Sequence, residues 1–167
     1  GAAEGYYAVG FGLIHNETPI IAFEEIPLYR SFLQKLAESN CVLNIKFEKR
    51  CNLVDLKNIL DFNKNRNSLV FCDVEGGEIE LLNPQKIVSL KYSYILVEIH
   101  EMYQDQCEKT LIKRFSKTHQ IEVIKGEERS LEDIPQQLTF LKYICSQKKI
   151  LSLMSEGRPY PMNWLWM

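Results

Sequence analysis

The sequence predicts a single α/β domain over residues 1–167, with a largely parallel sheet covered by flanking helices. The length suits one domain, and 46% hydrophobic with 25% charged residues is typical of a globular chain with a buried core. Two patterns support this class: short apolar runs alternate with longer amphipathic segments, and several of the runs end in an acidic residue.

Short apolar runs rich in β-branched and aromatic residues predict the strands. These runs occupy residues 19–24, 42–48, 68–74, 94–100, 120–125 and 149–154. Between them, apolar residues at helical spacing predict helices over residues 28–39, 53–60, 108–115 and 135–145. Strands that alternate with helices favour parallel pairing through right-handed crossovers.

Composition and charge argue against several classes of function. A net charge of -2 gives no general electrostatic attraction to nucleic acid. No apolar run approaches the roughly 20 residues that cross a bilayer, so we expect neither a nucleic-acid nor a membrane partner. Five widely spaced cysteines without a CxxC pair predict neither a zinc site nor a disulfide framework, and a reducing cytoplasm is the expected location.

Acidic residues follow three of the predicted strands where those strands end. Glu24 stands at the end of the first run, Asp73 and Glu75 at the end of the third, and Glu98 at the end of the fourth, where His100 accompanies it. Open α/β sheets bind ligands outside the carboxyl ends of their strands, so we expect these groups at one edge. Each pair alternates along its strand, which predicts that its two members point to the same face.

A glycine-rich segment opens the sequence and predicts a turn that a ligand can approach closely. The segment consists of Gly1, Ala2, Ala3, Glu4 and Gly5. Glu24 follows Gly5 by 19 residues, the distance at which a carboxylate takes the ribose hydroxyls of a nucleoside. The alternative is an ordinary tight turn. The helix after this turn is predicted to bury Tyr6, Val9 and Leu13.

Several stretches resemble the FkbM-type methyltransferases, and together they cover nearly the whole chain. The glycine motif of that family resembles GAAEGYYAVG, and the acidic end of its second strand resembles AFEEIP. Its DVEGxE segment resembles CDVEGGEIELL, and its following strand resembles VEIH. SEGRPYPMNWL is similar to a C-terminal stretch of some members.

The resemblance implies a Rossmann-like methyltransferase fold, bound S-adenosylmethionine, and methyl transfer to an oxygen of a small molecule or a sugar. It implies that Glu24 holds the ribose and that Asp73 and Glu75 face the methyl donor and acceptor. The methionine end of the cofactor would be lined by Gly1, Ala2, Ala3, Glu4 and Gly5. The family has a central strand before this turn, so the resemblance also implies a missing first strand. Sheet edges left open by its absence would favour a homodimer.

The residue types near the strand ends suit proton transfer during methylation of a hydroxyl. Asp73, Glu75 and His100 are the candidate catalytic residues, with His100 as a candidate general base. A divalent ion on these three residues is chemically possible, but the sequence predicts no metal. In the structural alternative, Glu75 or Glu78 begins the helix that follows the glycine pair at 76–77.

The aromatic and proline-rich tail at 157–166 predicts a strap packed over the domain, a wall of the substrate pocket or an oligomer contact. Two other functions stay open. An NAD-dependent oxidoreductase is disfavoured because the sequence lacks a GxGxxG pattern, and NAD titration would separate it from a methyltransferase. A non-catalytic interaction domain is the other, and light scattering would detect its assembly.

Overall fold

The computed structural model describes residues 1–63, 67–155, 158 and 160–167 and confirms the α/β class. The α-helices are α1 (Tyr6–Ile14), α2 (Pro27–Ser39), α3 (Leu53–Phe62), α4 (Glu78–Leu81), α5 (Cys107–Phe115), α6 (Leu141–Ile144) and α7 (Gln147–Met154). The strands are β1 (Ile20–Phe23), β2 (Ile45–Glu48), β3 (Leu69–Cys72), β4 (Tyr94–Glu98), β5 (Glu122–Ile124) and β6 (Trp164–Trp166). Within the described residues, no helix is both long and apolar enough to span a membrane.

The strands form two separate sheets. In the smaller sheet β1 and β2 run parallel, with Ile20 opposite Ile45. In the larger sheet, of order β3-β4-β6-β5, β3 and β4 are parallel, whereas β6 is antiparallel to both of its neighbours. Among the described strands, β1 and β3 are therefore each paired along one edge only.

Helix starts follow from local sequence signals. The side chain of Asn52 accepts hydrogen bonds from the N–H groups of Val54 and Asp55, and Asp55 in turn accepts from the Asn52 N–H. This reciprocal cap satisfies donors that the first turn of α3 would otherwise leave free. Pro27 occupies the first turn of α2, where a missing N–H costs nothing.

Each sheet has its own hydrophobic core. The smaller core joins α1 and α2 to β1 and β2 and contains Val9, Ala22, Leu33, Ala37, Val42 and Ile45. The larger core lies on the four-stranded sheet and includes Leu90, Ile95, Val97, Leu111, Phe115 and Leu165, all fully or almost fully buried. Apolar burial of this kind is the main favourable contribution to folding.

The predicted buried stripe of α1 is wrong at two of its three positions. Val9 is buried, but Tyr6 is 80% exposed and Leu13 is 55% exposed. Gly12 is buried instead, and a Cβ there would overlap the side chain of Val42. Because it has no side chain, Gly12 lets α1 pack closely against the segment that precedes β2. The helix therefore turns its Gly12 side, and not Tyr6 and Leu13, toward the core.

An aromatic contact joins α1 to the larger sheet. The ring of Tyr7 lies 4.6 Å from that of Phe71, and the ring of Phe11 lies 5.8 Å from Phe71. Trp164 completes the group, with its ring centre 5.4 Å from Phe71. Stacked and edge-on arrangements at these distances are favourable beyond the area that they bury, so α1 links the two sheets.

Two predictions in the C-terminal third are wrong. The predicted strand at 149–154 is part of α7, which Ser146 caps by accepting from the Lys149 N–H over 3.3 Å. A short apolar run does not distinguish a strand from one face of a helix. The predicted helix at 135–145 reduces to a 3-10 turn at Gln136–Leu138 and the short α6, and Ile144 is 70% exposed.

The end of the tail, Trp164–Trp166, is a strand of the sheet rather than a strap over it. β6 lies between β4 and β5, and its central residue Leu165 is fully buried. Residues 156, 157 and 159, which belong to the C-terminal stretch quoted above, lie outside the described residues. This three-residue strand joins β5 to β4 through its backbone pairing, so the end of the tail is part of the core.

Candidate functional site

A tight backbone turn before α1 lies beside the carboxyl end of β1. The N–H of Ala2 donates to the Phe23 carbonyl oxygen over 2.8 Å, and the Gly5 N–H donates to the Ala2 carbonyl oxygen over 2.8 Å. Ala3 and Gly5 have φ angles of 44° and 98°, a left-handed backbone that glycine adopts most easily. A side chain at Gly5 would also overlap Leu33 of α2.

Glu24 fastens this turn to the end of β1. One carboxylate oxygen accepts from the N–H of Ala3 over 2.8 Å, and the other accepts from the N–H of Ile26 over 2.7 Å. The side chain is buried, with 7% of Glu24 exposed. Since each carboxylate oxygen has a second lone pair, Glu24 retains capacity to accept hydrogen bonds from a ligand.

The same turn touches the end of β3. A Cβ on Gly1 would overlap the main-chain carbonyl oxygen of Asp73, so the backbone at Gly1 packs directly on Asp73. Asp73 follows the last residue of β3, Cys72. The turn thus brings Glu24 and Asp73 to one edge of the molecule, at the carboxyl ends of two strands, as the sequence predicts.

Three carboxylates surround the ring of His100. We call these four residues the His100 cluster: Asp73, Glu78, Glu98 and His100. His100 Nδ1 lies 2.7 Å from Glu78 Oε1. On the other side of the ring, Nε2 lies 3.2 Å from Glu98 Oε2 and 3.5 Å from Asp73 Oδ1. Glu78, Glu98 and His100 are buried, whereas the Asp73 side chain is 22% exposed.

The cluster shifts the pKa values of its members. Burial, reinforced by the Glu98 carboxylate, raises the pKa of Asp73 to about 6. Burial alone would lower the pKa of His100, but the Glu78 and Glu98 carboxylates outweigh it and raise the pKa to about 9. Burial opposes the ionisation of Glu98, yet His100 and Arg158 lower its pKa. The surrounding carboxylates thus favour the imidazolium form of His100 at neutral pH.

A cation from the C-terminal segment also reaches the cluster. Arg158 Nη1 pairs with Glu98 Oε1, and the arginine side chain is 29% exposed. Sixty residues separate the two partners, and no local pattern in the sequence indicates their contact. Arg158 was therefore not predictable as a site residue from the sequence.

The predicted pairing of Asp73 and Glu75 on one face is wrong. β3 ends at Cys72, and Glu75 has a left-handed φ of 49° that turns the chain away from the strand direction. Glu75 is exposed, and Glu78 takes the buried position beside His100. Glu78 Oε1 also accepts the Gly76 N–H over 3.0 Å, so the glycine pair and its acidic neighbour aim this carboxylate inward.

The structure brings together most of the predicted site residues. Glu24, Asp73 and His100 converge through the turn and the His100 cluster. Glu4 and Glu75 both lie exposed beside this edge. Glu78 joins the cluster without having been assigned to the site from the sequence. The edge therefore combines an accessible carboxylate, buried charges and a close-packed backbone turn.

Comparison with solved structures identifies the fold. The precorrin-6y C5,15-methyltransferase of Geobacter metallireducens GS-15 gives a TM-score of 0.55 at 13% identity, over 100% of this chain and 78% of that one. The O-methyltransferase TomG of Streptomyces achromogenes, involved in tomaymycin synthesis and solved with S-adenosylmethionine, gives 0.52 at 13% identity, over 100% of this chain and 70% of that one. The chain has a methyltransferase fold.

The remaining comparisons do not identify a family. The protein WbdD gives a TM-score of 0.56 at 11% identity, over 99% of this chain and 34% of that one. No protein-family model matches the sequence, and a search of curated proteins gives no match. The predicted Rossmann-like methyltransferase fold is thus confirmed, whereas the resemblance to the FkbM family stays a prediction.

Proposed function

We propose that the chain is an S-adenosylmethionine-dependent methyltransferase that methylates a hydroxyl of a small molecule or a sugar. One observation carries the proposal: the glycine turn, Glu24 and Asp73 meet at the carboxyl ends of β1 and β3 in a methyltransferase fold. In open α/β sheets, this edge is where nucleoside ligands bind.

The cofactor would lie across the turn. The methionine end would contact the backbone of residues 1–5, where left-handed residues keep side chains out of the way. Glu24 would accept the ribose hydroxyls with the lone pairs that the Ala3 and Ile26 amides leave free. Asp73, packed against Gly1, would then lie near the sulfonium and its methyl group.

Methyl transfer from a sulfonium requires alignment of donor and acceptor and removal of a hydroxyl proton. Asp73 is the member of the His100 cluster that reaches solvent, so it would contact the acceptor first. Glu75 is an exposed carboxylate beside it and would supply a second proton-accepting group. His100 is 2% exposed and would act through its neighbours, as a group that fixes their orientation, rather than as the base.

Finer features of the proposal rest on the sequence resemblance. Membership of the FkbM family, a central strand between β1 and β3, a homodimer and a cytoplasmic location are predictions. The unpaired edges of β1 and β3 among the described strands support the additional strand, because such an edge leaves backbone donors and acceptors free.

Calorimetric titration with S-adenosylhomocysteine tests the function. We expect saturable binding to the full chain and none with NAD. Binding of NAD alone would favour an oxidoreductase, and absence of binding by S-adenosylhomocysteine at low-millimolar concentration would overturn the proposal.

A deoxy ligand tests the role of Glu24 separately from its role in the turn. Glu24→Gln should weaken S-adenosylhomocysteine about tenfold or more, since a hydrogen bond to a charged group contributes about 1.5–3 kcal/mol. An analogue without the 2′-hydroxyl should lose much less on the same substitution. Glu25→Gln is the matched control, because Glu25 is the exposed neighbour. Equal losses for the two ligands would contradict the ribose assignment.

A further inference from the structure

Among the described residues, the buried side of the His100 cluster contains polar atoms without a hydrogen-bond partner. His100 Nε2 and Glu98 Oε2 lie 3.2 Å apart, an ion-pair distance without hydrogen-bond geometry, and neither atom makes a hydrogen bond to another described residue. His100 and Glu98 are 2% and 4% exposed. Burial of polar atoms that make no hydrogen bond is costly, so their persistence points to a ligand that satisfies them.

The spacing of these atoms suits a metal ion. Asp73, Glu98 and His100 each offer one ligand atom, and these three atoms lie within 4.8 Å of one another. The separations of 3.2 Å and 3.5 Å from Nε2 to the two carboxylate oxygens are close to ligand–ligand distances. Adjacent ligands of an octahedral ion with bonds of about 2.0–2.3 Å lie about 3 Å apart.

Glu78 orients the histidine as it would orient a metal ligand. Its carboxylate accepts the Nδ1–H of His100 over 2.7 Å, which directs Nε2 toward Glu98 and Asp73. Metal-bound histidines generally donate their other ring N–H to a carboxylate or carbonyl in this way. Glu78 is itself fully buried and held by the Gly76 N–H, so the orientation is fixed before any ion arrives.

The carboxylates of the cluster outnumber the cationic groups that face them, which favours binding of a cation. Asp73, Glu78 and Glu98 place three carboxylates around His100, and Arg158 pairs with one oxygen of Glu98. Even with His100 protonated, two cationic groups face three carboxylates. Arg158 occupies Glu98 Oε1, whereas Oε2 is the oxygen that faces Nε2, so an ion and the arginine would not compete for one atom.

We propose that Asp73, Glu98 and His100 bind a divalent first-row transition-metal ion, through one carboxylate oxygen each and Nε2. Mixed carboxylate and imidazole ligands suit ions such as Mn²⁺ and Zn²⁺. Binding releases the Nε2 proton of His100 to solvent. Glu98 replaces Glu75 in the ligand set considered from sequence. This proposal does not depend on methyl transfer, because the ion binds without a methyl donor.

Electron paramagnetic resonance with Mn²⁺ as the probe tests the site on the full chain, with no adenosyl ligand present. We expect loss of the free-Mn²⁺ signal at one ion per chain, and an electron spin-echo modulation from a directly bound imidazole nitrogen. The modulation shows that a histidine is a ligand, and because the chain has three histidines, the substitutions near His100 are needed to locate the ion. A folded chain that does not bind Mn²⁺, or binds it without nitrogen coupling, overturns the proposal.

Two substitutions locate the ion. Asp73→Asn, at the partly exposed position, should weaken Mn²⁺ at least tenfold, and Glu78→Gln should weaken it about 10–100-fold, as loss of an outer partner does. Glu80→Gln is the matched control, since Glu80 is an exposed carboxylate on the same short helix. Circular dichroism confirms that each variant is folded. Equal weakening in Asp73→Asn and Glu80→Gln would show non-specific binding and refute the site.

Discussion

Glu24 supports the turn by two charge-assisted hydrogen bonds, and Glu24→Gln removes one of them. The carboxylate accepts from Ala3 and Ile26 over 2.8 Å and 2.7 Å, in a side chain that is nearly fully buried. A glutamine has one carbonyl oxygen, so its NH₂ group must meet one of the two N–H donors. We expect a loss of about 1.5–3 kcal/mol in the free energy of unfolding.

This loss corresponds to a fall in Tm of roughly 3–12 °C, because a chain of this size shifts by about 2–4 °C per kcal/mol. Thermal unfolding followed by circular dichroism measures the shift. Glu25→Gln provides the control, since Glu25 is exposed and its pairing with Arg50 over 3.5 Å lies at the surface. Equal Tm values for the two variants would show that Glu24 does not anchor the turn.

Three further predictions concern the rest of the chain. Exposed Cys41 should react with a thiol reagent at pH 8 well before Cys72 and Cys107, whose burial raises their pKa values, and mass spectrometry of the labelled peptides would show the order. Arg158→Ala should lower the free energy of unfolding in urea by about 2 kcal/mol, between the values for a surface and a buried ion pair, because Glu98 loses a cationic partner and retains His100; an unchanged midpoint would contradict this. The unpaired edges of β1 and β3 should favour a dimer, and a purely monomeric mass by light scattering would exclude it.

The first five strands were predictable because each is a local pattern. Apolar runs that end in Glu24, Asp73 or Glu98 identify buried strands whose polar ends reach one edge, and the structure places β1, β3 and β4 there. β6 was not predictable, because three residues in a proline-containing tail carry little periodicity. Its position between β4 and β5 depends on pairing between distant parts of the chain.

The candidate site shows the same division. Glu24, Asp73 and His100 were assigned from their positions after apolar runs, and the structure brings them to one edge. Glu78 resembled an ordinary helix-start acid, but the left-handed backbone at Glu75 and Gly76 and the Gly76 N–H direct its carboxylate toward His100. Arg158 was missed because its contact with the cluster depends on the path of the tail, which the local sequence does not encode.

A crystal structure of the full chain with S-adenosylhomocysteine is the decisive measurement for the proposed cofactor site. We expect a ribose hydroxyl within hydrogen-bond distance of the Glu24 carboxylate and the ligand sulfur beside Asp73, over the turn at residues 1–5. A ligand bound at the opposite edge of the strands, or one that contacts neither carboxylate, would contradict it.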